Sequence, residues 1–504
     1  MLSATKLKDG LTEKISAGLQ ALYLENRLCF LSALIAGLCA HAFMLTNKIP
    51  YGDDLVAMFD KGATTVSGRY GLELMRLILP DISMPWIYGL LALLLLSVAS
   101  CFIVSLFDIR RPLFRVLLAA AFVSFPAQAA TMNYMFTVVP YALALTLSIC
   151  GLWYFAGGKK LCWLVSPLLI AFSCSIYQGY FSIASSFCVI LMIKALVRGE
   201  KDAAATFRYG LRLLAMLLTA RAFYGLAILC FTTLLGYPLI GEVINEKQSI
   251  IIRVAVAYSA YLKTFLSGYF GYVHSLPSML AHLLLVAVTG IVMLLRLRQK
   301  KGAAVWLLTG LCLFIFPLSC YCLYMLADNS YIHSLALYSF ASLYVLCLCL
   351  LDDFEHNIAK DLAALCLALI ICGNVYYANA WYLRNQLRFE EAESLYSSMV
   401  TQVISTEGFD ENTKLAIIGS APELVYDMDK NFDFDKLLTP SLDIGSTDYT
   451  QLIISQYLGF DIPFADAEEL RVLRDLPQVQ AMKVYPYDGS VEKIGDYIVV
   501  RFSD

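Results

Sequence analysis

The chain has 504 residues, of which 59% are hydrophobic and only 15% are charged. Soluble domains are about 45–50% apolar and about 25% charged, so this composition excludes a wholly soluble protein. The net charge is −3. Residues 380–504 hold ten Lys and Arg against twenty-two Asp and Glu, a net −12. An acidic C-terminal segment argues against nucleic acid as a partner and against tight binding of this segment to anionic lipid.

The N-terminal 28 residues are polar, with Leu and Ile at near-helical spacing from Leu7 to Leu22. This pattern predicts a cytoplasmic amphipathic segment over residues 1–28. Ten further apolar runs follow the first one, so no cleavable signal peptide is expected. The runs predict about eleven transmembrane helices. They cover residues 29–46, 85–107, 113–130, 138–156, 161–176, 178–196, 211–236, 278–296, 303–326, 333–351 and 361–379.

The distribution of positive charge predicts the orientation of these helices. With a cytoplasmic N-terminus, the inner segments hold nineteen Lys and Arg and the outer loops hold seven. Because cytoplasmic loops are enriched in these residues, we expect a cytoplasmic N-terminus. Eleven crossings then place the C-terminus on the extracytoplasmic side.

Two outer loops are unusually long, at residues 47–84 and 237–277. Loops of this length are usually functional or contain short helices. The second loop is rich in aromatic residues, and we expect residues 250–266 to form a helix along the outer surface. A twelfth, weakly hydrophobic membrane helix is the alternative.

Residues 381–504 have the composition of a small soluble α/β domain, which the orientation places outside the cytoplasm. Helices are expected at 386–405 and 465–474. All fifteen cysteines lie in apolar helices or at their cytoplasmic ends, so no disulfide framework is expected. The predicted strands are 414–419, 451–455, 481–485 and 497–502. The predicted fold is mainly α, with residues 29–380 forming the transmembrane domain.

Two adjacent carboxylates, Asp53 and Asp54, follow the first predicted membrane helix. Neighbouring carboxylates raise each other's proton affinity, so one of them could act as a general base on an acceptor hydroxyl. The alternative is that they cap the short helical run 55–59, because Asp is a favoured N-cap.

The same outer loop contains two arginines, Arg69 and Arg76, which share one face if the segment is helical. Arginine binds phosphate through a planar fork of donors. Contact with the membrane interface, or an ion pair between Arg76 and Glu73, is the alternative.

Arg221 lies inside a predicted membrane helix. An arginine near the bilayer centre costs about 2.5–3.5 kcal/mol on the mildest scale, so it needs a cavity or a partner. It would bind a lipid-linked phosphate, or it would hold helices together through an ion pair or hydrogen bonds.

Further polar and aromatic residues are expected at the outer ends of helices. Such pairs suit sugar rings and hydroxyls, although an interfacial aromatic belt is the alternative for the tyrosines. Two lone histidines do not make a metal site, but a divalent cation at one aspartate stays possible. The candidate substrate-binding residues of this kind are Asn133, Tyr134, Tyr177, Gln178, Arg253, Lys263 and His274.

Four short stretches, in this order, resemble a known family. They are Tyr51-Gly52-Asp53-Asp54-Leu55, Ser67-Gly68-Arg69-Tyr70, Asn133-Tyr134 leading to Pro140-Tyr141, and Ser175-Ile176-Tyr177-Gln178-Gly179-Tyr180. Their order and predicted membrane position resemble the Gtr-type (type II) serotype-converting glucosyltransferases of bacteria, over most of residues 30–380.

This resemblance implies a GT-C-like membrane glycosyltransferase. Its members move a sugar, usually glucose, from a polyprenyl-phosphate donor to a surface glycan such as O-antigen. The resemblance implies a catalytic role for Asp53 and Asp54. It also implies that Arg69 is the basic partner of these two aspartates. The expected partners are the lipid-linked donor, the glycan acceptor and the surrounding membrane lipid.

Two other functions also fit the residues. A flippase for lipid-linked oligosaccharides would explain many helices and intramembrane charge, although no internal repeat of the kind found in many transporters is present. A polymerase or ligase that uses a lipid-pyrophosphate donor is the second alternative.

Overall fold

The computed structural model describes residues 26–49, 53–55, 67–79, 82–237, 249–266, 276–299, 302–326, 334–421 and 447–503. Residues 1–25 of the expected amphipathic segment lie outside the described residues. The chain divides into two compact units. The membrane unit contains described residues 26–47 and 67–380, and the C-terminal unit contains 48–49, 53–55, 381–421 and 447–503.

The membrane unit is built from apolar helices in chain order. Short 3-10 helices at Gln178–Tyr180 and Ser334–Ala341 precede α8 and α14. The helices are α1 (Asn26–Thr46), α2 (Tyr70–Arg76), α3 (Pro85–Leu106), α4 (Pro112–Val123), α5 (Pro126–Met132), α6 (Val138–Ala156), α7 (Cys162–Ile176), α8 (Phe181–Arg198), α9 (Ala203–Leu234), α10 (Ile250–Leu266), α11 (Leu276–Arg298), α12 (Ala303–Cys320), α13 (Cys322–Leu326), α14 (Ser342–Leu351) and α15 (Asn357–Ser405).

In the described ranges, nine helices are long and apolar enough to cross a membrane, and the bent pair α4–α5 makes ten. The shorter apolar helix α7 corresponds to the predicted crossing at 161–176, which completes the eleven. Each predicted run therefore has a helical counterpart, and the mainly α, polytopic fold is confirmed. Residues 250–266 also form the expected helix, α10.

The bend between α4 and α5 has a local cause. The two helices meet at 45°, and α5 begins with Pro126. Proline cannot donate a backbone hydrogen bond and is tolerated best in the first turn of a helix, so a run of apolar residues can divide into two helices at Pro126. Pro85 and Pro112 begin α3 and α4 in the same way.

The span Ser334–Leu351 is buried along its whole length and lies at the centre of the membrane unit. Its polar groups have partners inside the protein. The Tyr338 hydroxyl donates to the Phe122 carbonyl oxygen at 2.8 Å. At the other end, the Asp352 carboxylate accepts the backbone N–H groups of Arg110 (2.7 Å) and Arg111 (2.9 Å). These bonds supply partners beside the first turn of α4, where helical backbone donors lack them.

The C-terminal unit begins within α15, at Trp381. It contains a three-stranded sheet in the order β1 (Lys414–Ile418), β3 (Tyr497–Arg501), β2 (Val491–Ile494). Strand β1 pairs parallel to β3, and β2 pairs antiparallel to β3. The remaining elements are α16 (Thr447–Leu452), a π-helical turn (Ile453–Tyr457), α17 (Ala467–Arg474) and α18 (Pro477–Ala481).

Alternating residues of the strands build two apolar cores, one on each face of the sheet. Leu415 and Val500 pack with Phe389, Tyr396 and other residues of α15. Ala416 and Val499 pack on the opposite side, against α17 and α18. The buried residues of α15 recur every three or four positions, as expected for the amphipathic helix predicted over 386–405.

Two of the four predicted strands are wrong. Residues 451–455 belong to α16 and the π-helical turn, and residues 481–485 comprise the last residue of α18 and the irregular segment after it. A short apolar run does not distinguish a buried strand from a buried helix, and Ile453 and Ile454 are buried here in the π-helical turn. Strand β2 was not predicted, because its residues are mostly exposed.

Glu469 is the main electrostatic contact of α17 with the sheet. It accepts a hydrogen bond from Lys414 Nζ (2.6 Å), from the Asp466 backbone N–H (2.8 Å) and from the Tyr497 hydroxyl (2.8 Å). These donors stabilise the ionised carboxylate and lower the pKa of Glu469 to about 2.

The stability that Glu469 contributes should therefore depend on pH. Because its pKa is lower in the folded state, the contribution is present above the ordinary value near 4.5 and is lost as the pH falls towards 2. We expect Glu469→Gln to increase hydrogen exchange of β1 and β3 at pH 6. The difference from the wild-type protein should shrink between pH 4.5 and 2.

Glu468→Gln is the matched control for this prediction, since Glu468 is the exposed neighbour on the same helix. It should leave exchange in β1 and β3 unchanged. A difference between wild type and Glu469→Gln that stays constant down to pH 2 would contradict the interpretation.

Candidate functional site

The two adjacent aspartates belong to the C-terminal unit, and Leu55 anchors them there. Asp53, Asp54 and Leu55 are helical. Leu55 is fully buried in the same core as Phe389, Tyr396 and Leu415. A carboxylate pair that sequence alone places in an outer loop of the membrane domain is thus packed on the core of the other unit.

The environments of Asp53 and Asp54 differ sharply. Asp54 is fully buried, and its carboxylate accepts a hydrogen bond from Lys48 Nζ at 2.8 Å. Asp53 is exposed. A buried carboxylate needs a countercharge, which Lys48 supplies. An exposed carboxylate can meet a substrate hydroxyl directly, so the two residues are suited to different roles.

A tight turn in the membrane unit carries Arg69. Gly68 has a φ of +74°, a backbone conformation that side chains disfavour, so Ser67-Gly68-Arg69 needs glycine at its centre. Two residues further on, a Cβ at Gly71 would lie 2.3 Å from Ser175 Oγ and 2.9 Å from the Ser175 carbonyl carbon. Glycine at this position allows α2 to touch α7.

Tyrosines hold the Arg69 side chain. Its Nη1 donates to the Tyr141 hydroxyl at 3.3 Å, and its guanidinium carbon lies 5.4 Å from the centre of the Tyr177 ring. The rings of Tyr141 and Tyr177 stack at 4.7 Å, and Tyr180 packs edge-on against both. A half-buried guanidinium fixed in this way is a positioned cation of the kind that recognises anions.

Tyr224 connects three parts of the membrane unit. Its hydroxyl accepts a hydrogen bond from Gln178 Nε2 (3.0 Å) and donates to the Gly68 carbonyl oxygen (3.2 Å). Gln178 Nε2 also donates to the Ser67 carbonyl oxygen at 2.6 Å. These bonds tie the turn that carries Arg69 to the start of α8 and to α9.

Arg221 approaches the same group of residues. Its guanidinium carbon lies 5.4 Å from the centre of the Tyr224 ring. The structure thus brings together four of the predicted residues, Arg69, Tyr177, Gln178 and Arg221. It adds Tyr224 and Tyr141, which the sequence analysis did not select as site residues. The spacing of Tyr224, three residues after an intramembrane arginine, is the signal that could have identified it.

Asn133 and Tyr134 lie in the turn between α5 and α6, and both are buried. Neither amide atom of Asn133 has a hydrogen-bond partner among the residues that the structure describes. Buried amides are nearly always satisfied, so Asn133 is able to bond a water or a ligand hydroxyl. The backbone N–H of Tyr134 bonds the Thr131 carbonyl oxygen at 3.1 Å.

The remaining predicted residues lie elsewhere or have partners within the protein. Arg76 forms an ion pair with Glu73 at 2.6 Å, which matches the structural alternative for this residue. Arg253 Nη1 donates to the Met325 carbonyl oxygen at 3.2 Å. Lys263 is exposed on α10. His274 lies outside the described residues.

The described part of the chain contains no group of three or more His, Cys, Asp or Glu side chains that could hold a metal ion. The fifteen cysteines are all free, and none forms a disulfide. The candidate site residues provide carboxylates, arginine guanidiniums, tyrosine hydroxyls and side-chain amides.

Residues 42–350 match the family model described as Glucosyl transferase GtrII. This chain belongs to the GtrII glucosyl transferase family. The matched region contains the aspartate pair, the Arg69 turn and Tyr224, and it ends before α15. No curated protein and no solved structure matches the chain.

Membership of the GtrII family confirms the resemblance inferred from the short stretches. It makes the protein a glycosyltransferase of the cell envelope, with glucosyltransferase activity. The apolar helices make this GtrII protein a multi-pass membrane protein.

The contact between Gly71 and Ser175 provides a test of the site architecture. Gly71→Ala should push α2 away from α7 and displace the Arg69 turn. Overpacking of this kind typically costs about 1–3 kcal/mol. We expect at least a tenfold loss of glucosyl transfer, together with reduced thermal stability. Gly290→Ala is the control, because a Cβ there meets nothing within 4 Å. Unchanged activity in Gly71→Ala would contradict this view of the turn.

Proposed function

We propose that the protein transfers glucose from a polyprenyl-phosphate donor to a surface polysaccharide such as O-antigen, on the outer side of the cytoplasmic membrane. The observation that carries this proposal is the placement of Arg69. Its guanidinium lies among tyrosine side chains at the end of a glycine turn, with Gln178 and Tyr224 bonded to the same turn. That combination suits a phosphate beside a sugar ring.

Arg69 stabilises the leaving phosphate in this proposal. When the bond between the anomeric carbon and the phosphate oxygen breaks, negative charge develops on the polyprenyl phosphate. A guanidinium that is already fixed stabilises this charge without reorganisation, and such interactions contribute strongly to catalysis. The stacked Tyr141 and Tyr177 rings are buried and hold the guanidinium in place. Asn133 provides a buried amide without a hydrogen-bond partner among the described residues.

Asp53 is the general base in this proposal, and Asp54 is its structural neighbour. The exposed Asp53 carboxylate removes the proton of the acceptor hydroxyl as the hydroxyl attacks the anomeric carbon. The leaving group departs as polyprenyl phosphate, and a single displacement of this kind inverts the anomeric configuration. Asp54 is buried with Lys48 and holds the segment in place.

The difference between the two aspartates can be measured. Asp53→Asn should lower kcat by about 10²–10⁴-fold, the usual contribution of general-base catalysis, without lowering thermal stability. Asp54→Asn should lower stability, because it leaves Lys48 without its buried countercharge. The assay is glucose transfer from polyprenyl-phosphate glucose by the purified full-length protein, with thermal unfolding of each variant.

The double variant Lys48→Gln/Asp54→Asn is the control for the ion pair. It should be more stable than Asp54→Asn alone, because both charged partners are removed together. Full transfer by a correctly inserted Asp53→Asn protein would rule out Asp53 as the base.

Arg69 should affect the chemical step more than donor binding. We expect Arg69→Gln to lower kcat about 10²–10³-fold, the usual effect of losing one transition-state donor. Arg69→Lys should recover only part of this loss, since an ammonium lacks the planar fork. Arg208→Gln, an exposed arginine of α9 near its start, is the control and should retain wild-type kcat. Equal kcat in Arg69→Gln and wild type would refute this role.

A further inference from the structure

Arg221 lies on an apolar, exposed stripe of α9. It is near the middle of this 32-residue helix, and its side chain is exposed. Leu214 and Leu218 precede it by seven and three residues, so they share its face, and they are 52% and 61% exposed. A leucine-rich exposed surface on a membrane helix faces lipid, so Arg221 is a cation on a lipid-facing surface.

The depth of Arg221 follows from its neighbour Tyr224. Tyr224 bonds Gln178, which lies in the break between α7 and α8. Three residues of helix rise about 4.5 Å, so Arg221 lies less than one helical turn away from the level of this break. The predicted orientation puts the break on the outer side, which places Arg221 in the outer half of the membrane, with the exposed Leu226, Leu229 and Leu234 of α9 beyond it.

The Arg221 guanidinium is directed towards that outer end. Its Nη1 lies 3.2 Å from the position of a Cβ added at Gly225, which is one turn further along α9. Long cationic side chains in membrane helices extend towards the nearer interface in this way. Because Gly225 has no side chain, the Arg221 guanidinium fits against it. In this position the guanidinium lies beside the Tyr224 ring.

The protein itself provides little countercharge to Arg221. Within the part of the chain that the structure describes, its guanidinium lies beside the Tyr224 ring and Gly225, and it forms no ion pair there. A guanidinium on a lipid-facing surface of a membrane helix has one abundant class of anionic partner, the phosphate of a lipid. Polyprenyl phosphates and phospholipid headgroups both present this group.

The position of Tyr224 favours the polyprenyl phosphate. The Arg221 guanidinium carbon lies 5.4 Å from the centre of the ring that carries the Tyr224 hydroxyl. That hydroxyl also bonds the turn that carries Arg69. A phosphate held at Arg221 is therefore next to the group that the proposed reaction uses for the leaving phosphate.

We propose that Arg221 is a lateral docking residue for the phosphate of the polyprenyl-phosphate donor, which reaches the site from the membrane along the exposed face of α9. The identity of this lipid rests on the proposed function. Arg221 acts on binding and positioning of the donor, and Arg69 acts on the departing phosphate. A docking residue changes KM, whereas a residue that stabilises the transition state changes kcat.

The test uses the full-length protein in nanodiscs of phosphatidylcholine. Arg221→Gln should raise the Kd for sugar-free polyprenyl phosphate, measured by native mass spectrometry, and the KM for polyprenyl-phosphate glucose by at least tenfold. Its kcat should stay within about twofold of wild type. Arg221→Lys should give intermediate values and serves as the check that the charge matters. Arg208→Gln makes the same charge change nearer the start of α9 and should alter neither value.

Each other result has a defined meaning. Wild-type protein that fails to transfer glucose from the lipid donor would refute the proposed function. Active wild type with unchanged Kd and KM in Arg221→Gln would refute the docking role alone. A fall in kcat at constant KM would place Arg221 in the chemical step. An effect on binding only when phosphatidylglycerol is added to the nanodisc would make Arg221 a phospholipid headgroup site and overturn the proposal.

Discussion

The hydrogen bonds of Tyr224 are the interaction on which the membrane part of the site depends. One hydroxyl connects Gln178 at the start of α8 with the Gly68 carbonyl oxygen, so α9 and the Arg69 turn share one fixed point. In an apolar surrounding, an unsatisfied carbonyl or amide costs several kcal/mol, so these groups stay paired. The same contact places the Tyr224 ring beneath Arg221. Short polar stretches that lie far apart in the chain thereby come together in one site.

Burial separates the roles of residues that look equivalent in the sequence. Asp53 and Asp54 are adjacent and chemically identical, yet Asp53 is exposed, whereas Asp54 is buried and forms an ion pair with Lys48. Arg69 and Arg76 are seven residues apart on one segment, yet Arg76 is paired with Glu73 while Arg69 is held by Tyr141. In both cases the nearest charged or hydroxyl-bearing partner decides what each side chain is able to do.

Much of the fold could be predicted because its signals are local. Every apolar run has a helical counterpart, since a lipid-facing backbone has to satisfy its hydrogen bonds within the helix. Strands β1 and β3 were also predicted, because each is a short apolar run rich in β-branched residues. Residues 451–455 were assigned wrongly, because Ile453 and Ile454 fit a buried strand or a buried helix equally well by composition.

By itself, the sequence determined the membrane class, the helices and the family, because hydrophobic length and short ordered stretches are properties of the chain alone. It also selected Arg69, Gln178, Arg221 and the aspartate pair as candidates. The tertiary structure alone decided that Leu55 packs the aspartates on the C-terminal core and that Tyr224 meets Gly68, 156 residues away in the chain. Contacts of this kind depend on which surfaces pack together, and no local pattern of residues encodes that choice.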